Sequence, residues 1–310
     1  MTNGFWLSSA GCRVPGIPRR KRSSENLLKS NSRRRLFAVG VKALALAAMA
    51  WYPLALTARE PVKPVSQDPQ AQKLIDQAWA AVDQKIGLPE VDLAIQSLEL
   101  ALALDPDNDA LRVELADEYY YRGSLMPAGS PEEIEARNLY FQKGSDQAQQ
   151  ALARRESAGA HAWTTVHLAC LKQYTNFLSQ AAILPELTRH LQWIEQHDRD
   201  YKYGFVFRFW TGVIIQAPDM IVKMLGQDPE EVFENLEQAI AANPGYLENY
   251  LYLADLYDAM KRKNQALDTL AKVLQTSPEV LPSERAQNRY AQKQAGERWK
   301  QWTRKEYPAR

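Results

Sequence analysis

Cysteine is nearly absent from this chain: Cys12 and Cys170 are the two thiols in 310 residues. One lies in a leader and one in the body, so neither a disulfide framework nor a cysteine-built metal site is expected. Cys170 sits among Val166, Leu168, Ala169 and Leu171, the setting of a buried, inert thiol. Histidine is scarce too, at His161, His167, His190 and His197. No HExxH motif occurs, and His190 and His197 lie seven apart rather than at the i, i+4 spacing of a helical metal pair. The body also lacks a GxGxxG loop, a P-loop and a GxSxG elbow, which removes the phosphate-cradling and nucleophile-elbow routes to catalysis. Asp92, Asp105 and Asp107 stand at turns and read as helix caps. No catalytic residue, metal, cofactor or enzymatic activity is expected.

Basic charge is in deficit after residue 58. Residues 1–58 hold 10 Lys/Arg against 1 Asp/Glu, and the remainder holds 28 against 36. An acidic body excludes the basic surface that nucleic acid requires. Long apolar runs are confined to residues 36–56, which follow a polar stretch carrying RRKRSS at 19–24 and SRRR at 32–35. A basic segment before an apolar one is the pattern of an export signal. SRRRLF also resembles a twin-arginine signal loosely, with Leu36 and Phe37 in reversed order. These twenty-one residues, interrupted by Lys42 near the start, can equally span a bilayer as an uncleaved anchor. The expected location is the bacterial periplasm, reached through or anchored to the inner membrane. Residues 1–58 are therefore read as leader, 59–68 (REPVKPVSQD) as a proline-rich linker, and 69–310 as one helical domain.

What the body has in abundance is helical periodicity ending in proline. The stretch from Leu247 to Pro278 reads LENYLYLADLYDAMKRKNQALDTLAKVLQTSP. With Pro278 as position 32 of a repeat, Tyr250, Leu253, Ala254 and Tyr257 fall at positions 4, 7, 8 and 11, and Ala266, Leu270 and Val273 at 20, 24 and 27. These are the size-graded positions of a tetratricopeptide unit, a helix–turn–helix of about 34 residues. Small Ala254 and Ala266 let the two helices approach, and the remaining apolar face must be covered by a neighbouring unit. Pro244 lies 34 residues before Pro278, with Leu236 and Ala239 in register before it. Pro106 marks another half-repeat, with Ala94, Leu98 and Ala101 before it and Leu115, Ala116 and Tyr119 after it.

The middle is less regular. SLMPAGSP precedes a capping box at Ser130–Glu133. A long helix over 131–156 is expected to turn Ile134, Leu139, Tyr140, Ala148, Ala151 and Leu152 inward. Helices are expected near 160–180 and 185–198, and a last helix, 283–302, caps the array. No segment reads as a strand. The fold class is all-α, a tetratricopeptide-like α-solenoid of about ten to twelve helices with lengthened middle units. Stacked helix pairs form concave binding surfaces, and aromatics are their usual anchors. Tyr120, Tyr174, Phe207 and Trp210 are the candidate groove residues, with core packing as the competing account of each.

Four segments carry a family resemblance. They are EARNLYFQKGSDQAQQAL at 135–152, AHAWTTVHLAC at 160–170, YKYGFVFRFWTGVIIQAP at 201–218 and NLEQAIAANPGYLENYLYLADLY at 235–257. Together they resemble the T-component family of TRAP transporters, and the related repeat domain of regulators of microtubule dynamics. The resemblance implies an exported, helical accessory protein that associates with the solute-binding protein of a small-molecule importer. Members are often lipoproteins, whereas no cysteine stands at the cleavage region of this leader. The partners expected are a protein, a solute-binding protein being the leading candidate, together with a small organic ligand and further copies of the chain. A membrane-anchored envelope scaffold that binds proteins alone is the alternative.

Overall fold

The computed structural model describes residues 63–308, except 85–86, 217–221 and 223–224. The leader, with its apolar run, lies outside the described residues. Among those described, no helix is long and apolar enough to cross a membrane.

Capping residues set most of the helix starts. Asp68 accepts from the backbone N–H groups of Gln70 and Ala71, both at 2.8 Å, with Pro69 at the first helical position. Asn108, Ser130, Ser157, Asn176 and Asp228 cap in the same way. Each such cap is worth about 1 kcal/mol. Stops are written as X-Pro: Asp105, Asn243 and Ser277 each precede a proline, which disfavours helical backbone at those residues.

The described residues form twelve α-helices and no strand. In order they are α1 (Pro69–Asp83), α2 (Leu88–Leu104), α3 (Asp109–Ser124), α4 (Pro131–Arg154), α5 (Ala158–Lys172) and α6 (Phe177–Ala182). There follow α7 (Leu184–His197), α8 (Phe205–Gln216), α9 (Pro229–Ala242), α10 (Leu247–Ala259), α11 (Lys263–Gln275) and α12 (Arg285–Thr303). Helices adjacent in sequence pack on one another from α1 through α5, then α5 on α7 and α9 on α10. The last three pack mutually. The architecture is an all-α, tetratricopeptide-like array.

Three regions of core follow from this. Ile75, Leu98, Leu111 and Leu115 are sealed between α1, α2 and α3, each contributing roughly 1.5–3 kcal/mol over an exposed side chain. A second core joins α3 to α9 around Phe141, Trp163, Leu191 and Trp210. The third surrounds α10, in which every residue from Asn249 to Tyr257 is buried. Tyr250, Leu253, Ala254, Tyr257, Ala266 and Leu270 all lie in it, and Pro278 opens a 3-10 turn beyond α11. Within it Arg298 of α12 meets Asp255 of α10 with two near-parallel bonds, Nε to Oδ1 at 3.0 Å and Nη2 to Oδ2 at 3.0 Å. Ala254 has no exposed surface. Ala254→Trp is expected to lower stability by at least the roughly 1–3 kcal/mol typical of overpacking. A thermal melt checks this, and an unchanged midpoint would show that the site has slack.

Two expectations about the middle need correction. In α4 the buried face is Arg137, Phe141, Gly144, Ser145, Ala148 and Ala151, and Leu139 is 64% exposed. Arg137 takes an inward position because Nη1 donates to Tyr174 Oη at 2.9 Å and Nε to Gly123 O at 3.1 Å. The segment near 160–180 is not one helix: it breaks after Lys172, and Asn176 caps the short α6.

The chain's last helix returns to its first. Arg285 donates from Nε to Asp83 Oδ1 at 3.1 Å and forms an ion pair with the same carboxylate. Tyr121 of α3 donates to Gln287, and its ring lies edge-on to Tyr290 at 5.8 Å. This return supplies one wall of the site.

Candidate functional site

The site begins with an unusual turn. Lys202, Tyr203 and Gly204, between α7 and α8, have φ of 42°, 57° and 94°. Left-handed backbone costs L-residues roughly 1–2 kcal/mol each, so something must hold Lys202 and Tyr203 there. Arg208, one turn into α8, donates from Nη2 to Lys202 O at 2.7 Å and from Nη1 to Tyr203 O at 3.2 Å. Asn249 of α10 donates to Tyr203 O at 2.9 Å and accepts from Arg208 Nη1 at 2.8 Å. The Tyr203 ring stacks on Tyr246 with centroids 4.5 Å apart. Gly204 supplies the third left-handed residue, and a Cβ there would stand 2.9 Å from the Cβ of Ala239.

The turn delivers Lys202 inward. Its ammonium pairs with Asp117 of α3 and lies 5.1 Å from the centre of the Trp163 ring of α5. Burial opposes the charge, but Asp117, Tyr201 and Glu114 together raise the lysine above its ordinary pKa. Arg208 Nε faces Glu248 Oε2 at 3.3 Å. Both cations are thus neutralised by carboxylates on other helices.

These groups wall a cavity of about 130 Å³. For scale, an engineered apolar cavity of about 150 Å³ takes up benzene. Trp79 comes from α1, Asp117 and Tyr120 from α3, Trp163 from α5, Phe205 and Phe209 from α8, and Glu248 and Tyr252 from α10. Glu284 closes the wall just before α12. The charges are unequal: Glu114, Asp117, Glu118, Glu248 and Glu284 stand against Lys202 and Arg208. Burial pushes the Glu284 carboxyl up to about 7. The lining atoms buried without a hydrogen-bond partner include Asp117 Oδ1 and Trp79 Nε1. Buried polar groups are normally satisfied, so such atoms mark a place where something binds or where water enters. The arrangement has what recognition needs: a half-open cleft with aromatic faces, fixed charge and unspent polar atoms.

Of the four groove aromatics expected from sequence, Tyr120 lines this cavity. Tyr174 lies apart and accepts from Arg137. Phe207 is buried under Arg199, whose guanidinium carbon is 5.0 Å from the ring centre, and Trp210 is buried in the central core. Their neighbours Phe205 and Phe209, four apart on α8, face the cavity instead. Lys202, Arg208, Asp117 and Glu284 escaped sequence reasoning. The available signal was Arg208 itself, a charge inside the aromatic run FVFRFW. A buried arginine there must be paired or bonded.

A second polar cluster lies outside the cavity. His161 and His190 meet through their Nδ1 atoms at 2.7 Å, so one donates and the other accepts. His161 stacks on Trp193, which stacks in turn on the exposed His197, with 4.2 Å between centroids in each case. His167 Nε2 donates to Ala116 O at 2.9 Å. Burial pushes His161, His167 and His190 each down to about 4. Among the described residues no group of side chains is arranged to hold a metal ion.

Comparison with solved structures finds a thermophilic TPR protein from Thermus thermophilus at 19% identity and TM-score 0.49, covering 70% of this chain and 98% of that one. No curated protein matches the sequence. The family model for the TRAP transporter T-component matches residues 140–301, more than half of the chain. That span holds Lys202, Arg208, Glu248 and Glu284, and the chain belongs to the TRAP transporter T-component family.

Proposed function

We propose that this protein is a non-enzymatic accessory component of a bacterial solute-transport system, held at the cell envelope by its leader. In this reading the helical array binds a periplasmic protein partner, the solute-binding protein, and receives a small ligand in its cavity. The observation that carries the reading is the cavity itself, a half-open aromatic and charged space inside a transporter-accessory fold. Support for a protein partner comes from the outer face of α2, where Leu93, Leu100 and Leu104 are 40%, 50% and 41% exposed. Their spacing aligns them on one face of the helix, an accessible apolar strip of the kind protein interfaces cover.

The test is capture of partners from the native envelope by the full-length chain, followed by mass spectrometry. Recovery of a periplasmic solute-binding protein, lost when Leu100 is replaced by glutamate, is the expected result. Recovery of envelope-assembly proteins with no solute-binding protein would overturn it in favour of an anchored scaffold.

A further inference from the structure

We propose that the cavity takes a small organic cation, a protonated primary amine on a ring-sized apolar body, rather than a carboxylate. This rests on the cavity being a ligand site, as proposed above, and adds the chemistry of the ligand.

Both wall cations are already engaged. Lys202 is neutralised by Asp117, and its charge already lies over Trp163. Arg208 is bonded to two backbone carbonyls and Asn249, and faces Glu248. An entering carboxylate would have to displace one of these partners and leave a buried carboxylate behind without its cation, which is costly. It would also break the contacts that hold the left-handed turn.

The wall still offers an acceptor. Asp117 is 5% exposed, and its Oδ1 is buried without a hydrogen-bond donor, although Oδ2 is engaged by Lys202. An ammonium is a donor with three N–H groups and no acceptor, so it satisfies that oxygen. Glu284 adds a second carboxyl, from the segment just before α12, which an entering ammonium would help to ionise. The unpartnered donors of the wall, Trp79 Nε1 and Trp163 Nε1, are neutral, whereas the unpartnered acceptor belongs to a carboxylate, and the two cations are already matched.

Much of the remaining wall is aromatic. Phe205, Phe209, Tyr120 and Tyr252 present rings around the space. Aromatic faces attract organic cations electrostatically, most strongly where water is excluded. Both resident cations follow this rule, Lys202 over Trp163 and Arg208 with its guanidinium carbon 4.9 Å from the Tyr246 ring centre. A volume of about 130 Å³ suits a single six-membered ring or a short aliphatic amine.

The experiment uses three probes of one shape and different charge, benzylamine, benzyl alcohol and benzoate, titrated calorimetrically into the full-length chain at neutral pH. Benzylamine is expected to bind at least tenfold more tightly than benzoate. Glu284→Gln should weaken benzylamine about tenfold and leave benzyl alcohol unchanged. Asp117→Asn frees the Lys202 ammonium, so preference should turn toward benzoate. If Asp117→Asn does not fold, the Glu284→Gln comparison decides alone. Benzoate binding as tightly as benzylamine to the unaltered chain would overturn the cation assignment while leaving the cavity as a ligand site. Binding of none of the three overturns the cation assignment and the ligand half of the functional reading together. The protein-partner half is tested separately by capture.

Discussion

Arg298→Ala is expected to cost about 3–5 kcal/mol, the usual effect of removing one partner from a buried ion pair. Arg298 is 1% exposed and Asp255 5%. Removing the guanidinium leaves the Asp255 carboxylate in the middle of α10, where water does not reach to replace two charge-assisted bonds. The contrast is Lys63–Asp76, at 39% and 57% side-chain exposure, where solvent screens the pair and the same loss should cost far less. Urea unfolding of both single variants makes the comparison. Arg298→Met combined with Asp255→Leu should recover most of the loss, because the cost lies in the stranded charge and not in the missing attraction. If Arg298→Ala costs no more than the surface variant, α12 does not seal against α10 as described.

Acidification should destabilise the protein between about pH 6.5 and 4. His161, His167 and His190 are held neutral down to about 4 by burial, against 6.5 for a free imidazole. In that window the unfolded chain binds protons that the folded one refuses, so stability falls with falling pH. Each such histidine contributes up to about 1.4 kcal/mol per pH unit. Glu284 works the other way. Its carboxyl is raised from 4.5 to about 7 in the fold, so between those values the folded state binds the extra proton and gains stability as pH falls. The net dependence from about pH 6.5 to 4.5 is therefore at most about two protons. Urea midpoints measured from pH 7.5 to 4.5 give the slope, and His167→Gln should flatten it. A slope of zero in the unaltered chain would mean that these imidazoles are charged or hydrated in the fold.

How much of this was legible in the sequence depends on contrast along the chain. Leu236, Ala239, Leu270 and Val273 stand out because polar residues surround them, and their helices bury those residues. In α8 the run FVFRFW is apolar on every side but Arg208, so no period distinguishes Phe205 and Phe209 from Phe207 and Trp210. The neighbouring helices decide which rings face the cavity. The α4 case is similar: leucine and tyrosine at 139 and 140 outweigh Arg137 on any hydropathy scale, yet a bonded arginine fills the inward position. The wall charges were hidden for another reason. Asp117 and Lys202 are 85 residues apart, and only the return of distant helices puts them together.

The Arg285–Asp83 bridge spans 202 residues of sequence. A linear stack of repeats has two free ends, and unfolding can start at either and travel inward one unit at a time. Here the end units lean on each other. Fraying of α12 withdraws the support of α1, and fraying of α1 withdraws that of α12. Partly melted states that an open stack tolerates therefore lose contacts on both sides at once, so the array should melt in one step, with cavity and ends lost together.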